Sequence, residues 1–380
     1  MELNKKRYTG SLIGLMSNKV KTNGGINMAQ GIPAFNPPVK LIDQMKKVMD
    51  QSIHQYAAGK GHPKLVKWLK DHYQSKSPIT NDHILMVNGA TEALSLLYTY
   101  LNQLIHGSYG VLAFGPVYES YRELSKIFGQ SFVEYQNKNQ VLDFDNLKEV
   151  IIKNKVKLIF MASPGNPWGH IWSKEELAEI CKLADQLDVY IVFDAVYSEL
   201  YFQDPPHQLL DVSNKRLFYV NSFSKMLSIT GWRVGYLIAH EQHMERINNM
   251  HDYLGLCVSH PAQAALSAYL NENEDWKFYV ADIREKLALN YQLAEDLLGS
   301  AGFKIPNAQG GYFIWCQLPD GINDGFSFAL ELYEQHKVAV VPGEHFSSHA
   351  ADFIRINLAM SKEVLEKGLV ELINYTKSRA

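Results

Sequence analysis

Short apolar runs alternate with longer amphipathic segments through the middle of this 380-residue chain. The runs are apolar on both faces, which is typical of strands buried inside a sheet, and the segments between them have helical periodicity. Helices must then cover both faces of that sheet, so we predict an α/β fold with a mostly parallel sheet between helices. The predicted strands span residues 84–87, 110–114, 157–161, 189–194, 217–221 and 235–239.

Two of the connecting segments, 92–104 and 174–186, are predicted helices. Ser173 followed by Glu176 has the sequence of a capping box at the start of the second helix. No repeat or long linker interrupts the chain, which favours domains that are interleaved in space.

The pattern changes after about residue 271. A long amphipathic segment is followed by three strand-like runs and a last helical segment, which predicts a second, smaller α+β domain. These segments span 276–298, 311–318, 338–341, 353–358 and 362–376. The expected division is an N-terminal segment (1–37) that packs with the small domain, a large domain (38–275) and the small domain (276–380).

Composition excludes several classes of protein. The net charge of −3 argues against a nucleic-acid or membrane surface as partner. The three cysteines, Cys181, Cys257 and Cys316, are far apart, so neither a metal site nor a disulfide framework is expected. No apolar run approaches the roughly 20 residues that a bilayer requires. These observations predict a cytoplasmic protein.

The strongest chemical signal is the segment 222–236, Ser-Phe-Ser-Lys-Met-Leu-Ser-Ile-Thr-Gly-Trp-Arg-Val-Gly-Tyr. It follows a predicted buried strand, so Lys225 lies just past a strand's carboxyl end, where α/β sheets bind ligands. A shielded lysine amine can be neutral near pH 7 and act as a nucleophile. The hydroxyls of Ser222 and Ser224 and the guanidinium of Arg233 suit a phosphate dianion. A lone lysine beside a polar turn is more often a surface residue; the surrounding residues favour function here.

This segment resembles the lysine signature of class I and II aminotransferases, in which Ser-x-Ser-Lys is followed by Thr-Gly-Trp-Arg-x-Gly. The resemblance extends over nearly the whole chain, because further family motifs follow in the family's order. It implies the aspartate-aminotransferase fold (fold type I), with a mostly parallel seven-stranded sheet in the large domain. It also implies the cofactor pyridoxal 5′-phosphate (PLP), bound covalently by Lys225.

The resemblance assigns further cofactor contacts. Gly89, Ala90 and Thr91, within Asn-Gly-Ala-Thr-Glu-Ala, resemble the turn that binds the PLP phosphate, although such a turn alone is more often a helix cap. Tyr118 resembles the aromatic residue that stacks on the cofactor ring; alone, it would be ordinary packing. Asn166, in Asn-Pro-Trp-Gly, resembles the asparagine that donates to the cofactor's phenolic oxygen; alone, it marks a turn.

Asp194 and Tyr197, in Asp-Ala-Val-Tyr, end another predicted strand. The family's aspartate keeps the pyridine nitrogen of PLP protonated, so that the ring can withdraw electrons. Tyr197 would hydrogen-bond the phenolic oxygen. Lys225, Asp194 and Tyr197 are therefore the predicted catalytic residues. An isolated aspartate after a strand would otherwise be a cap.

Arg355 lies in a strand-like apolar run, where a charge needs a partner. The family's partner is the substrate α-carboxylate, and the alternative is an internal ion pair. Gly31, in Gln-Gly-Ile-Pro, resembles the loop that closes over substrate, and Asn166 is a third predicted substrate contact. Tyr56 resembles the tyrosine that reaches the phosphate of a neighbouring subunit, which implies a homodimer with shared active sites.

The implied reaction moves an amino group from an L-amino acid to a 2-oxo acid with ping-pong kinetics, Lys225 acting as general base. In relatives specific for dicarboxylates, a cation that the partner subunit lends to the site shortly precedes a Ser-x-Pro segment. Ser259-His260-Pro261 resembles that segment, and residues 253–258 before it contain no cation. We therefore expect aspartate to be a poor donor. The aromatic residues Phe35, Tyr118 and Tyr253 favour neutral donors related to methionine, glutamine or aromatic amino acids.

Three alternatives remain at this point. A C–S β-lyase acting on cystathionine or cysteine conjugates would share the same site residues. A non-catalytic regulator would normally carry a fused DNA-binding domain, for which there is no room before residue 30. A nucleotide-binding enzyme, suggested by Gly59-Lys60-Gly61, lacks both GxGxxG and GxxxxGK[ST].

Overall fold

The computed structural model describes residues 10–136, 142–272 and 274–379. Within these ranges, thirteen helices span α1 Leu12–Asn23, α2 Val39–Met49, α3 Pro63–Tyr73, α4 Ala90–Leu104, α5 Glu119–Ile127, α6 Phe144–Lys153, α7 Lys174–Leu187, α8 Phe223–Met226, α9 Glu241–Leu254, α10 His260–Glu272, α11 Asp275–Ser300, α12 Gly325–His336 and α13 Lys362–Arg379. The twelve strands are β1 Ile26–Asn27, β2 Ile84–Val87, β3 Gly110–Phe114, β4 Ser131–Tyr135, β5 Val156–Ala162, β6 Tyr190–Asp194, β7 Leu217–Ser222, β8 Gly235–Ala239, β9 Phe313–Gln317, β10 Val338–Ala339, β11 Val341–Pro342 and β12 Phe353–Asn357.

The central sheet has seven strands in the order β2-β8-β7-β6-β5-β3-β4. The strands from β7 to β4 are parallel, and only β8 runs antiparallel to its neighbours β7 and β2. The prediction of a mostly parallel sheet between helices is confirmed. Strand β4 was not predicted, because it is an edge strand with one exposed and three half-buried residues and so lacks the apolar pattern.

Both faces of this sheet are buried, which explains why its strands have continuous apolar sequences. In β2 the side chains alternate: Ile84 and Met86 belong to one apolar cluster, and Leu85 and Val87 belong to a second. All four are fully buried. Neighbouring strands and the helices on each face supply the rest of each cluster, as parallel sheets require.

A smaller three-stranded antiparallel sheet, β11-β12-β9, lies in the last third of the chain. The predicted strand 338–341 is wrong as one element: β10 pairs with β1 near the N-terminus, whereas β11 pairs with β12. Val340 between them is fully buried. The run 338–341 is therefore apolar throughout, although its two halves hydrogen-bond to different strands. The division at residues 37 and 275 stays a prediction.

The predicted capping box is confirmed. The Glu176 backbone N–H donates to Ser173 Oγ (3.1 Å), and the Ser173 N–H donates to the Glu176 carboxylate (2.9 Å). This exchange satisfies two free donors at the start of α7. Among the described residues, no helix is both long and apolar enough to cross a membrane.

Candidate active site

A cavity of about 300 Å³ lies at the carboxyl ends of β5, β6 and β7. Parallel strands bring the residues that follow them to one edge, so residues distant in sequence meet there. Twelve of the predicted site residues line the cavity: Gly31, Ala90, Thr91, Tyr118, Asn166, Asp194, Tyr197, Ser222, Ser224, Lys225, Arg233 and Arg355.

Lys225 extends into the cavity from the single turn α8, which follows β7 directly. Its ammonium donates to the Gly31 carbonyl at 2.6 Å. Burial, with the charges of Arg355 and Arg233, lowers the pKa of Lys225 to about 8. A substantial fraction of this amine is therefore neutral near physiological pH, as a nucleophile or general base requires.

Gly89, Ser222, Ser224 and Arg233 form one end of the cavity around the start of α4. Gly89 has φ +83°, and a Cβ atom there would lie 2.3 Å from Arg233 Nη2, so this position requires glycine. Arg233 Nη2 donates to the Asn88 carbonyl at 3.1 Å. The hydroxyls of Ser222 and Ser224 are 2.7 Å apart. A helix N-terminus, a guanidinium and two hydroxyls together suit a phosphate.

Asp194 is a buried carboxylate at the end of β6. The Tyr121 hydroxyl donates to it at 2.9 Å, and the Val196 N–H donates at 3.2 Å. Burial raises the pKa of Asp194 to about 6 despite these bonds. Within the described ranges, no cation lies within ion-pair distance of Asp194, so the carboxylate can accept a further proton donor from a bound group.

Arg355 crosses from β12 into the other side of the cavity and is 1% exposed. Its Nη1 donates to Asn166 Oδ1 (2.8 Å), and its Nη2 donates to the Ala29 carbonyl (2.6 Å). The guanidinium packs on Phe313 and Phe346, 4.0 and 4.6 Å from the ring centres. Its Nε–H has no partner, and no carboxylate pairs with it, in the described part of the chain. The predicted alternative of an internal ion pair is therefore not observed.

Three aromatic residues that were expected at the active site lie outside the cavity of a single chain. Tyr56 is 78% exposed and lies on the surface beside residues 257–261. Tyr253 is 93% exposed at the end of α9. Phe35 packs against the apolar cluster of the smaller sheet. Only Tyr118 of the predicted aromatic lining borders the cavity, so the expected lining by Phe35 and Tyr253 is wrong for a single chain.

Sequence reasoning missed Glu119, Tyr121, Phe313 and His345, which are part of the site or directly support it. Tyr121 carries a recognisable signal, because it lies one helical turn after Tyr118 and so faces the same side of α5. The sequence around His345 does not indicate a role at the site, because its contact partner Glu119 lies far away in the sequence.

A buried lysine of lowered pKa, an anion-binding helix start and a buried carboxylate without a cation at ion-pair distance in the described part of the chain are the features expected of a PLP-dependent enzyme of fold type I. The family described as aminotransferase class I and II matches residues 23–372, and the chain belongs to this family. The sequence is 30% identical to a probable aspartate aminotransferase of Methanocaldococcus jannaschii, over 92% of both chains.

Two solved structures show the same fold. A Thermus thermophilus aspartate aminotransferase mutant superposes with a TM-score of 0.88 at 23% identity, covering 99% of this chain and all of that one. An Escherichia coli protein reported with a methionine aminotransferase function superposes with a TM-score of 0.85 at 22% identity, covering 98% and 99%. The predicted fold, enzyme class and cofactor are confirmed.

The residues of the cavity fit PLP. Arg233, Ser222, Ser224 and the α4 N-terminus offer donors for its phosphate, and Gly89 leaves room for Arg233 to approach. Asp194 offers a carboxylate to a protonated ring nitrogen, at a position otherwise lacking a cation.

We expect Asp194→Asn to stabilise the PLP-free protein above pH 6 while impairing activity. An acid whose pKa rises on folding holds its proton more tightly when folded, so its contribution to stability falls as pH increases from about 4 through 6. The difference between about 6 and the ordinary 3.8 corresponds to about 3 kcal/mol. Asparagine can still accept from Val196 and bond to the Tyr121 hydroxyl.

Urea unfolding midpoints of the PLP-free protein between pH 4 and 8 test this expectation. Asp204→Asn, on an exposed loop, is the matched control. If Asp194→Asn is no more stable than the wild type at pH 7, burial of the Asp194 charge does not destabilise the folded protein.

Proposed function

We propose that this aminotransferase uses neutral L-amino acids, related to methionine, glutamine or the aromatic amino acids, as donors and a 2-oxo acid as acceptor. The observation that carries this proposal is the charge of the cavity lining. Its cations among the described residues are Lys225, Arg233 and Arg355. The first two are committed to the cofactor and the third to the α-carboxylate, so a side-chain carboxylate would have no cation of this chain to pair with. Residues 253–258, the segment expected to lend a cation from a partner subunit, contain none.

PLP, when bound, supplies an electron-withdrawing ring that stabilises negative charge at the substrate Cα. Arg355 holds the α-carboxylate through its forked donors, between the rings of Phe313 and Phe346. Lys225 would remove the Cα proton at Nζ, and its lowered pKa suits this role. Asp194 would hold a proton on the ring nitrogen of bound PLP. Asn166 and Tyr197 would hydrogen-bond its phenolic oxygen.

Aspartate is the competing donor, because the Methanocaldococcus and Thermus proteins bear the name aspartate aminotransferase. The shared fold does not fix the substrate, since specificity lies in the residues that line each site. The proposal for neutral donors therefore depends on the cavity of this chain, in which Tyr118, Ile32 and Phe313 provide apolar surface.

A half-reaction screen tests the donor class. PLP-loaded protein is mixed with single amino acids, without any 2-oxo acid, and the cofactor absorbance is recorded. We expect conversion to the pyridoxamine form with methionine, phenylalanine, tyrosine or glutamine and little with aspartate. Faster conversion by aspartate would contradict the proposal, and pyruvate release from cysteine conjugates would indicate a lyase. Lys225→Ala is the control, because without the general base conversion should be abolished.

Arg355→Lys should lower kcat/KM for methionine by about 100-fold, because lysine cannot reproduce two forked, charge-assisted hydrogen bonds. Stopped-flow measurement of the half-reaction gives this value directly. Arg216→Lys, on a partly exposed arginine that pairs with Asp188, is the matched control. A loss of less than threefold would contradict the assignment of the α-carboxylate to Arg355.

We also propose that the active enzyme is a homodimer in which Tyr56 reaches the phosphate of the partner's cofactor. Its 78% exposure in one chain supports a role outside that chain.

Loss of a hydrogen bond to a charged group costs about 1.5–3 kcal/mol, so Tyr56→Phe should weaken PLP binding roughly tenfold or more. Cofactor titration and light scattering test affinity and mass. Tyr253→Phe, at a tyrosine that is even more exposed (93%), is the control. A monomer, or equal affinities of Tyr56→Phe and the wild type for PLP, would refute the proposal.

A further inference from the structure

A second carboxylate borders the cavity beside Arg355. Glu119 is the first residue of α5, directly after Tyr118, and its side chain is 16% exposed. It lines the same cavity as Arg355, Lys225 and Tyr197. Asp194 is the only other acid in this lining among the described residues, and its position suits the cofactor. Glu119 is therefore the acidic group left to face the substrate.

Glu119 lies within ion-pair distance of His345. The His345 Nε2 atom is 3.3 Å from Glu119 Oε1, although the contact does not have hydrogen-bond geometry. Burial alone would raise the pKa of Glu119, but the nearby His345 and the charge of Arg355 outweigh it and hold this pKa below its ordinary value. The second oxygen, Oε2, is buried and has no hydrogen-bond partner in the described part of the chain. The carboxylate therefore keeps its negative charge beside the cavity.

The loop that carries His345 is fastened to the start of α5. Arg122 donates to the His345 carbonyl at 2.9 Å, and the Val117 N–H donates to the Phe346 carbonyl at 2.9 Å. Phe346 in turn packs on Arg355. These bonds fix the position of Glu119 relative to the guanidinium that receives the α-carboxylate.

Building on the proposed function, we infer that Glu119, placed beside the cavity by its contact with His345, is a specificity-determining residue that disfavours substrates with an acidic side chain. A negative charge fixed beside the cavity repels a second carboxylate. This effect is distinct from the lack of a cation in the cavity, because the Glu119 charge repels an acidic side chain of the substrate.

The test compares two donors in the PLP-loaded enzyme. The α-carboxylate is common to both, so any effect of Glu119 on Arg355 cancels in the ratio of kcat/KM for glutamate to kcat/KM for methionine. Removing one charge in a partly buried site should raise that ratio roughly tenfold in Glu119→Gln. Glu119→Asp keeps the charge, and its ratio should stay close to that of the wild type. Glu175→Gln, an exposed acid in the first turn of α7, is the matched control.

The possible outcomes are distinct. An unchanged ratio in Glu119→Gln, or equal changes in Glu119→Gln and Glu119→Asp, would overturn the inference, the second because the effect would then be steric. A wild-type preference for aspartate or glutamate would refute the proposed donor class, but a raised ratio in Glu119→Gln would still support the role of Glu119. Thermal unfolding and the cofactor spectrum show whether each variant is folded and loaded.

Discussion

The guanidinium of Arg355 joins three parts of the chain at one point. It extends from β12 of the smaller sheet, donates to Asn166 after β5 of the central sheet, and donates to Ala29 near the N-terminus. Burying a cation requires hydrogen bonds for its donors, and both terminal nitrogens of Arg355 find them where these segments meet, while its Nε–H has no partner in the described part of the chain. The position of the site between the two sheets follows from this requirement, and the aromatic rings of Phe313 and Phe346 fix the plane of the guanidinium.

Much of the fold could be predicted from the sequence, because a parallel sheet buried on both faces has an apolar pattern in every central strand. The edge strand β4 escaped prediction since its residues meet solvent, and the run at 338–341 was read as one strand because burial continues through Val340 while the pairing changes. Hydrogen-bond partners are set by the arrangement of segments in space, which the local pattern does not contain.

The site was predictable where its residues follow strands, and much less so elsewhere. Lys225, Asp194 and Asn166 each come directly after an apolar run, so the carboxyl edge of the sheet collects them. Glu119 and His345 meet only because the loop 342–346 is bonded to the start of α5. Each residue alone has an ordinary local role, such as a first-turn acid of a helix, and only their contact reveals a functional one.

Three ionisable side chains of the cavity are charged less readily in the folded protein than they would be in water. Burial shifts the pKa of Lys225 down to about 8, that of Asp194 up to about 6 and that of Arg355 down to about 10, in each case toward the uncharged form. The protein alone therefore incompletely compensates these charges. PLP would bring an aldehyde carbon for the neutral amine of Lys225 and a ring N–H for Asp194, and the amino acid would bring a carboxylate for Arg355. Binding of PLP and of the amino acid would then supply the partners that the protein alone lacks. Glu119 is the exception, because its pKa is held below the ordinary value and it keeps its charge beside the cavity.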